Sequence, residues 1–359
     1  MQRKEVNKKN NILILGLISL VFFCLYKFLP AGSGIVKDRD MVRASEIMAQ
    51  AIQVLRGCAL GQNIAIDVRE DINRTGLVGP ESSPLTTSPG HLEAKRTTTN
   101  PNFAGLLTLL LKKAGVRRGD AVALGASSSF PALVVASLSA LKALQAKPVA
   151  ICSLGASNWG ATCPEFSLLE MLNCLRENDV LDARPVALAV GGEADNGSDM
   201  SEEGRALLAR KIENSGIFFL QVPDLAANVQ KRMKLYEEQA APAGIKAFIN
   251  IGGSWANMGT DSSVLRLKPG LAEVVDIPPL ERRGVIHEMA LRKIPVVHLL
   301  YVKGLAERYG LPWDPVPLPQ PGEGSLYLVS TKSVRPDLIL AGAYLVVMLA
   351  ALALSRRKK

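Results

Sequence analysis

Ala121-Val-Ala-Leu-Gly-Ala-Ser-Ser-Ser-Phe-Pro-Ala-Leu-Val-Val-Ala-Ser-Leu-Ser-Ala-Leu141 carries no charge along its whole length. Taken as one piece it is long enough for a membrane-crossing helix, which needs about 20 apolar residues. It does not read as one piece. Gly125 to Ser129 are turn formers and Pro131 follows them. A short apolar run, a Gly/Ser turn and a fresh helical pattern make a strand, a loop and a helix.

The same unit recurs downstream of this stretch. Apolar runs suited to buried strands lie at 121–125, 148–153, 185–190, 217–221, 246–251 and 295–301. Helical patterns at 130–145, 166–177, 202–214, 224–239 and 281–293 separate most of them. Continuous apolar strands between amphipathic helices indicate a parallel sheet covered on both faces. The expected fold is therefore α/β, a doubly wound, Rossmann-like and mostly parallel sheet. Upstream, 38–57 reads as a helix, and 72–100 as a polar, Pro/Ser/Thr-rich surface loop. Asn100-Pro101 then opens another helix, the Asn as cap and the Pro in its first turn. No period of 20–50 residues repeats, so a solenoid is unsupported.

Two further apolar stretches sit at the ends. Ile12–Tyr26 follows Arg3, Lys4, Lys8 and Lys9, and Leu338–Leu354 precedes Arg356, Arg357, Lys358 and Lys359. Extended to Leu29, with Lys27 snorkelling, the first reaches spanning length. Basic flanks stay cytoplasmic. The expectation is a bacterial plasma-membrane protein with both termini cytoplasmic and its main domain extracytoplasmic. Its parts are a basic tail (1–11), a transmembrane helix (12–29), an α/β domain (31–311), a Pro-rich stalk (312–337), a second transmembrane helix (338–354) and a basic tail (355–359). A cleaved signal peptide is the alternative for the N-terminus, although Phe28–Gly34 lacks a clear Ala-x-Ala site. Lipidation at Cys24 is disfavoured by Phe22 and Phe23.

Charge follows the same division. The chain has 42 basic and 33 acidic residues, a net +9. Residues 1–30 and 338–359 hold +4 each, leaving +1 for 31–337. No spare positive field remains for a phosphate backbone, which argues against nucleic-acid binding. Cys58, Cys152, Cys163 and Cys174 allow two disulfides, yet buried thiols fit equally well at Cys152 and Cys174. There is no Cys-x-x-Cys pair for a metal.

Ligands in doubly wound folds bind beyond the carboxyl ends of the strands. Four loops expected there are rich in small and polar residues: Gly125–Phe130, Ser153–Thr162, Gly191–Asp199 and Gly252–Asp261. Glycines let backbone amides approach a ligand closely. The candidate ligand-binding residues are Gly125, Ser127, Ser128, Ser129, Gly155, Ser157, Asn158, Trp159, Gly252, Gly253, Ser254, Trp255 and Asn257. Ser127, Ser128, Ser129 and Ser157 are the candidate nucleophiles. The order Ser…Asp195…His287 suits a hydrolase, but the Gly-x-Ser-x-Gly elbow is missing. His298 reads as a core histidine, and His91 lies on the long loop. A threonine nucleophile released at Thr97-Thr-Thr99 has no matching sandwich fold. Glu193, Asp195 and Asp199 lack the spacing of a calcium loop, so no metal is expected. Neither a phosphate-binding Gly-x-x-x-x-Gly-Lys nor a convincing Gly-x-Gly-x-x-Gly occurs, and no cofactor is demanded.

At these loops the chain resembles the poly-gamma-glutamate system protein family. The likeness rests on Thr97-Thr-Thr-Asn-Pro-Asn-Phe103, Gly125-Ala-Ser-Ser-Ser-Phe-Pro-Ala132, Ser153-Leu-Gly-Ala-Ser-Asn-Trp-Gly-Ala161 and Gly252-Gly-Ser-Trp-Ala-Asn257. It covers nearly the whole chain and carries over no catalytic residue. The resemblance implies a membrane accessory protein of poly-gamma-glutamate biosynthesis or export. Its partners would be the membrane synthase complex and the polyanionic polymer. Lys95, Arg96, Arg282 and Arg283 are candidates for electrostatic capture of that polymer. The expected function is binding of the polymer or its synthase. Two rivals stand beside it: a hydrolase or transferase that trims, releases or attaches the polymer, and a scaffold that binds no ligand.

Overall fold

A computed structural model describes residues 2–28, 33–182, 184–332 and 336–357. Lys358 and Lys359 of the C-terminal basic tail, and residues 29–32 around the weighed cleavage point, lie outside the described residues. The chain divides into two compact units, Met1–Lys37 with Leu328–Lys359, and Asp38–Tyr327.

The first unit joins the ends of the chain. It holds α1 (Gln2–Phe28), β1 (Ser33–Lys37), β9 (Leu328–Lys332) and α12 (Pro336–Arg357). The two strands pair antiparallel, Lys37 opposite Leu328. The helices meet where the Ser19 and Tyr344 hydroxyls lie 3.0 Å apart and Phe22 packs edge-on to Tyr344. Among the described residues, however, no helix is long and apolar enough to cross a membrane. This finding overturns the two expected transmembrane helices and, with them, the membrane placement with cytoplasmic ends and an extracytoplasmic domain. The reason lies in composition. Much of the 27-residue α1 is the polar segment Gln2–Asn11, and the uncharged runs in α1 and α12 fall short of about 20 residues.

The second unit is α/β. It opens with α2 (Arg39–Gly61), α3 (Leu92–Thr98) and α4 (Asn102–Lys113). Then follow β2 (Ala121–Ser127), α5 (Pro131–Leu144), β3 (Lys147–Ser153), α6 (Leu168–Glu177), β4 (Ala187–Ala189), α7 (Glu202–Asn214), β5 (Phe218–Phe219) and α8 (Leu225–Ala240). The rest is β6 (Ile245–Ile251), the one-turn α9 (Trp255–Met258), β7 (Gly270–Ala272), α10 (Val285–Leu291), β8 (Val296–Leu299) and α11 (Val302–Tyr309). Seven strands form one sheet in the order β5-β4-β3-β2-β6-β8-β7, parallel except for β7 at the edge. All six expected strands are present; β7, only three residues long, left no apolar run to read.

Alternation along the strands builds two cores. Val122, Leu124, Ala126, Ala150 and Cys152 face one way with α2, α4, α5 and α6. Ala121, Ala123, Val149, Ile151 and Phe248 face the other, with Val229, Met233 and Tyr236 of α8 and Val285, Ile286 and Met289 of α10. Helices thus cover both faces. The chain runs outward from β2 through β3 and β4 to β5, then returns to the opposite side of β2 as β6. That reversal opens a crevice between the carboxyl ends of β2 and β6.

Two sequence expectations for this unit change. The stretch 72–100 is no surface loop throughout: Leu77, Leu85, Ala94 and Lys95 are buried, and 92–98 is helix α3. Residues 312–321, expected within a stalk, lie along the domain. Asp314 pairs with Arg96 and its amide donates to Thr97 Oγ1 at 2.9 Å, while Asn73 and Asn102 donate to the carbonyls of Pro315 and Gln320 at 2.9 and 3.1 Å. Two of the four cysteines of this unit, Cys58 on α2 and Cys174 on α6, form a disulfide; Cys152 and Cys163 are free thiols.

Candidate active site

The four Gly/Ser loops gather at the carboxyl edge of the sheet around a cleft of about 730 Å³. Its walls include Ser127 at the end of β2 and Ser129 beyond it, Ser153 at the end of β3 with Gly155 and Ser157 beyond it, Gly192, Glu193 and Asp199 after β4, and Gly253, Ser254 and Trp255 after β6. Tyr301, Lys303 and Trp313 close another side, and α3 brings His91, Glu93 and Lys95. Close backbone approach is needed where the loop after β6 meets the end of β2. Gly252 has φ +79°, and a Cβ there would lie 3.0 Å from Ser127 Cβ. Only glycine lets the β6 loop sit against the β2 loop without strain.

Lys95 is the centre of the site. It is 2 % exposed, and its ammonium donates to Ser157 Oγ at 2.7 Å and to the Ser129 carbonyl. Its Nζ lies 4.0 Å from the Phe130 ring centroid. Among the described residues no carboxylate forms an ion pair with it. Burial without a counter-charge disfavours the ammonium, and the pKa falls to about 7. At neutral pH the neutral amine is well populated beside a serine hydroxyl. Local sequence explains the placement. Pro89-Gly90 ends the preceding segment, Leu92-Glu-Ala-Lys-Arg96 are good helix formers, and Asn100-Pro101 stops the helix. On this short helix Ala94, Lys95, Thr97 and Thr98 face inward.

The three serines after β2 diverge in role. Ser128 is structural, its Oγ donating to the Ser153 carbonyl at 2.8 Å. Ser127 Oγ donates to Ser129 Oγ at 2.9 Å, and the Ser157 amide donates to the same oxygen at 3.0 Å. Of the remaining candidates, Gly155, Gly253, Ser254 and Trp255 line the cleft. Gly125, Asn158, Trp159, Gly252 and Asn257 do not. Gly125 instead packs on the Asn257 amide, which a Cβ would approach to 2.6 Å. Asn158 ties two loops, accepting from the Gly90 amide at 3.0 Å and donating to the Glu81 carbonyl at 2.6 Å. Trp159 Nε1 donates to Glu70 at 3.0 Å.

The order Ser…Asp195…His287 does not assemble. Asp195 is an ion-pair partner of Arg232 on α8, both side chains being fully buried, and it also accepts from Ser153 Oγ at 2.7 Å and Asn228 Nδ2 at 3.2 Å. His287 Nδ1 accepts from the Gly284 amide at 3.0 Å, and burial lowers its pKa. His298 is 2 % exposed, its Nδ1 3.0 Å from Asn250 Nδ2, and burial pushes its pKa down to about 4. Nor are the four capture residues gathered. Arg96 is engaged by Asp314, Arg282 reaches Asp261 at 3.8 Å and Arg283 reaches Glu288 at 3.5 Å; none of the three lines the cleft.

Sequence reading missed the pairing of Lys95 with Ser157 and the buried Arg232. The first had a signal in the helix-forming Leu92–Arg96 between two breaks. The second had none, because an arginine on an amphipathic helix reads as surface. Compared with family models, with curated proteins and with solved structures, the chain finds no match.

Proposed function

We propose that the protein is a serine–lysine acyl-transfer enzyme, a hydrolase or transferase in which Ser157 is the nucleophile and Lys95 its base. One observation carries this reading. A lysine with no ion-pair partner among the described residues is buried at the floor of a large cleft, 2.7 Å from a serine hydroxyl that faces the cleft. A serine is a weak nucleophile until an adjacent base takes its proton, and a desolvated lysine is a recognised base for that task.

The steps follow from the contacts. Neutral Lys95 Nζ accepts the Ser157 proton as Oγ attacks the carbonyl carbon of an amide, and the π pair moves to the carbonyl oxygen. The resulting ammonium is held by the Ser129 carbonyl and the face of Phe130. When the tetrahedral adduct collapses, the C–N bond breaks and Lys95 returns the proton to the leaving nitrogen. Water, or an amine or hydroxyl acceptor, then opens the acyl-serine with Lys95 again as base.

The motif resemblance supplies the substrate class, a gamma-glutamyl amide polymer. The test uses the full chain with poly-gamma-glutamate of defined length, following chain length and new amino ends. Shortening or transfer by the wild type, lost in Ser157→Ala and Lys95→Met, supports the reading. Activity that survives Ser157→Ala overturns it, and so does tight binding with no change in the polymer.

A further inference from the structure

We infer that Ser129 is a further catalytic residue, the hydroxyl donor that stabilises the oxyanion formed when Ser157 attacks. The inference rests on the reading of Ser157 as nucleophile.

A serine hydroxyl has one donor proton and two acceptor lone pairs. Both lone pairs of Ser129 Oγ are occupied, one by Ser127 Oγ–H at 2.9 Å and one by the Ser157 amide at 3.0 Å. Its own proton therefore has to point away from both. Among the described residues no acceptor receives it, and Ser129 lines the cleft. The site thus presents a hydroxyl already fixed by two neighbours, with its hydrogen left to donate to a group bound in the cleft. Ser127 and Ser128 cannot serve in this way, since each hydroxyl proton is already given, to Ser129 Oγ and to the Ser153 carbonyl.

The nucleophile's own amide strengthens the case. In many acyl-transfer sites backbone N–H groups bind the oxyanion. Here the Ser157 N–H is spent on Ser129 Oγ. Its polarity reaches the cleft only through the Ser129 hydroxyl, and a donor that also accepts two hydrogen bonds is strengthened by them. Ser129 keeps its proton throughout. It donates a hydrogen bond to the carbonyl oxygen, most strongly while that oxygen carries the negative charge.

The test compares wild type with Ser129→Ala, Ser129→Thr and Ser157→Ala. Polymer cleavage and the rate of covalent labelling by a fluorophosphonate are measured together. The probe forms a Ser157 O–P bond and releases fluoride, while its phosphoryl oxygen occupies the place of the oxyanion. Ser129→Ala is expected to lower kcat and the labelling rate about 10²- to 10³-fold with KM little changed. Ser129→Thr, which keeps the hydroxyl, should recover most of both. The pH inflection near 7 should stay in place, because Lys95 contacts the backbone carbonyl of residue 129 and not its side chain. A shifted inflection, or Thr no better than Ala, would show a merely structural role and overturn the inference. If Ser129→Ala does not fold, Ser129→Cys gives the same comparison with a weaker donor. Labelling lost in Ser157→Ala but unchanged in Ser129→Ala defeats this inference and leaves the Ser157 reading standing. No labelling and no cleavage by the wild type defeats both.

Discussion

Lys95 Nζ and Ser157 Oγ lie 2.7 Å apart, and the lysine is held there without a carboxylate partner among the described residues. This arrangement fixes a pH response with a definite sign. Activity should rise with pH through an inflection near 7, as the ammonium loses the proton that prevents it from acting as base. Lys95→Met should remove activity at every pH. A pH–rate profile of kcat/KM checks this.

The same lysine affects stability. Its folded pKa of about 7 lies below the unfolded value of 10.5, so between those limits the unfolded chain binds more protons. Unfolding free energy must therefore climb with pH across that window, by a few kcal/mol in all. Below it the buried ammonium carries its full desolvation penalty. Lys95→Met should abolish the slope and make the protein more stable than wild type at pH 6. Urea denaturation at pH 6 and pH 9 for both proteins tests the sign; a flat wild-type profile sinks it.

Asp195, on the loop that carries Glu193 and Asp199, forms a fully buried ion pair with Arg232 of α8. Removing one charge strands the other, because both side chains are fully buried. Arg232→Met should cost about 3–5 kcal/mol, and Arg232→Met with Asp195→Asn should cost less than the sum of the two single changes. A double-mutant cycle by denaturant unfolding measures the coupling. Additive costs would mean that the pair does not hold the loop.

His298 gives the acid limb. Its imidazole is neutral, accepting from Asn250, with a folded pKa of about 4 against 6.5 unfolded. Stability from this group is complete above pH 6.5 and is lost as pH falls toward 4, because only the unfolded chain takes up the proton there. The loss amounts to about 3 kcal/mol. His298→Asn keeps an acceptor for Asn250 and should show a shallower decline between pH 6.5 and 5. Parallel denaturation curves for the two proteins would remove this explanation.

Much of the α/β unit was legible because its signals are local and repeated. Residues such as Val122 and Ala123 are buried on opposite faces of one strand, so β2 reads as an uninterrupted apolar run. The four loops at one sheet edge followed from strand direction alone. What was not legible depends on distance in sequence. Lys95 reaches Ser157 from 62 positions away, and nothing between them marks the pair. Leu338–Leu354 illustrates the opposite failure: apolar composition was visible, but among the described residues no helix is long and apolar enough to cross a membrane. Pro312–Pro321 misled because proline signals the absence of regular structure and says nothing about packing, and here Trp313 forms part of the cleft wall.

Cys58 and Cys174 join α2 to α6 across 116 residues of sequence. α2 packs on α4 and α5 over one face of the sheet, and the bridge holds it to α6 as well. Breaking the bridge frees a long loop in the unfolded chain, and losing a native disulfide typically costs about 2–5 kcal/mol. Cys58→Ser with Cys174→Ser should therefore lower the denaturation midpoint while leaving the cleft intact, since neither cysteine lines it. The thiols themselves offer an independent check. Cys24, Cys152 and Cys163 are free, so the unfolded, unreduced chain should titrate three thiols and the reduced chain five. In the native protein Cys152 should be the last to react, because burial removes access and raises its pKa to about 12. Five thiols without reductant would show that the bridge does not form, and an unchanged midpoint in the double variant would show that it does not stabilise the fold.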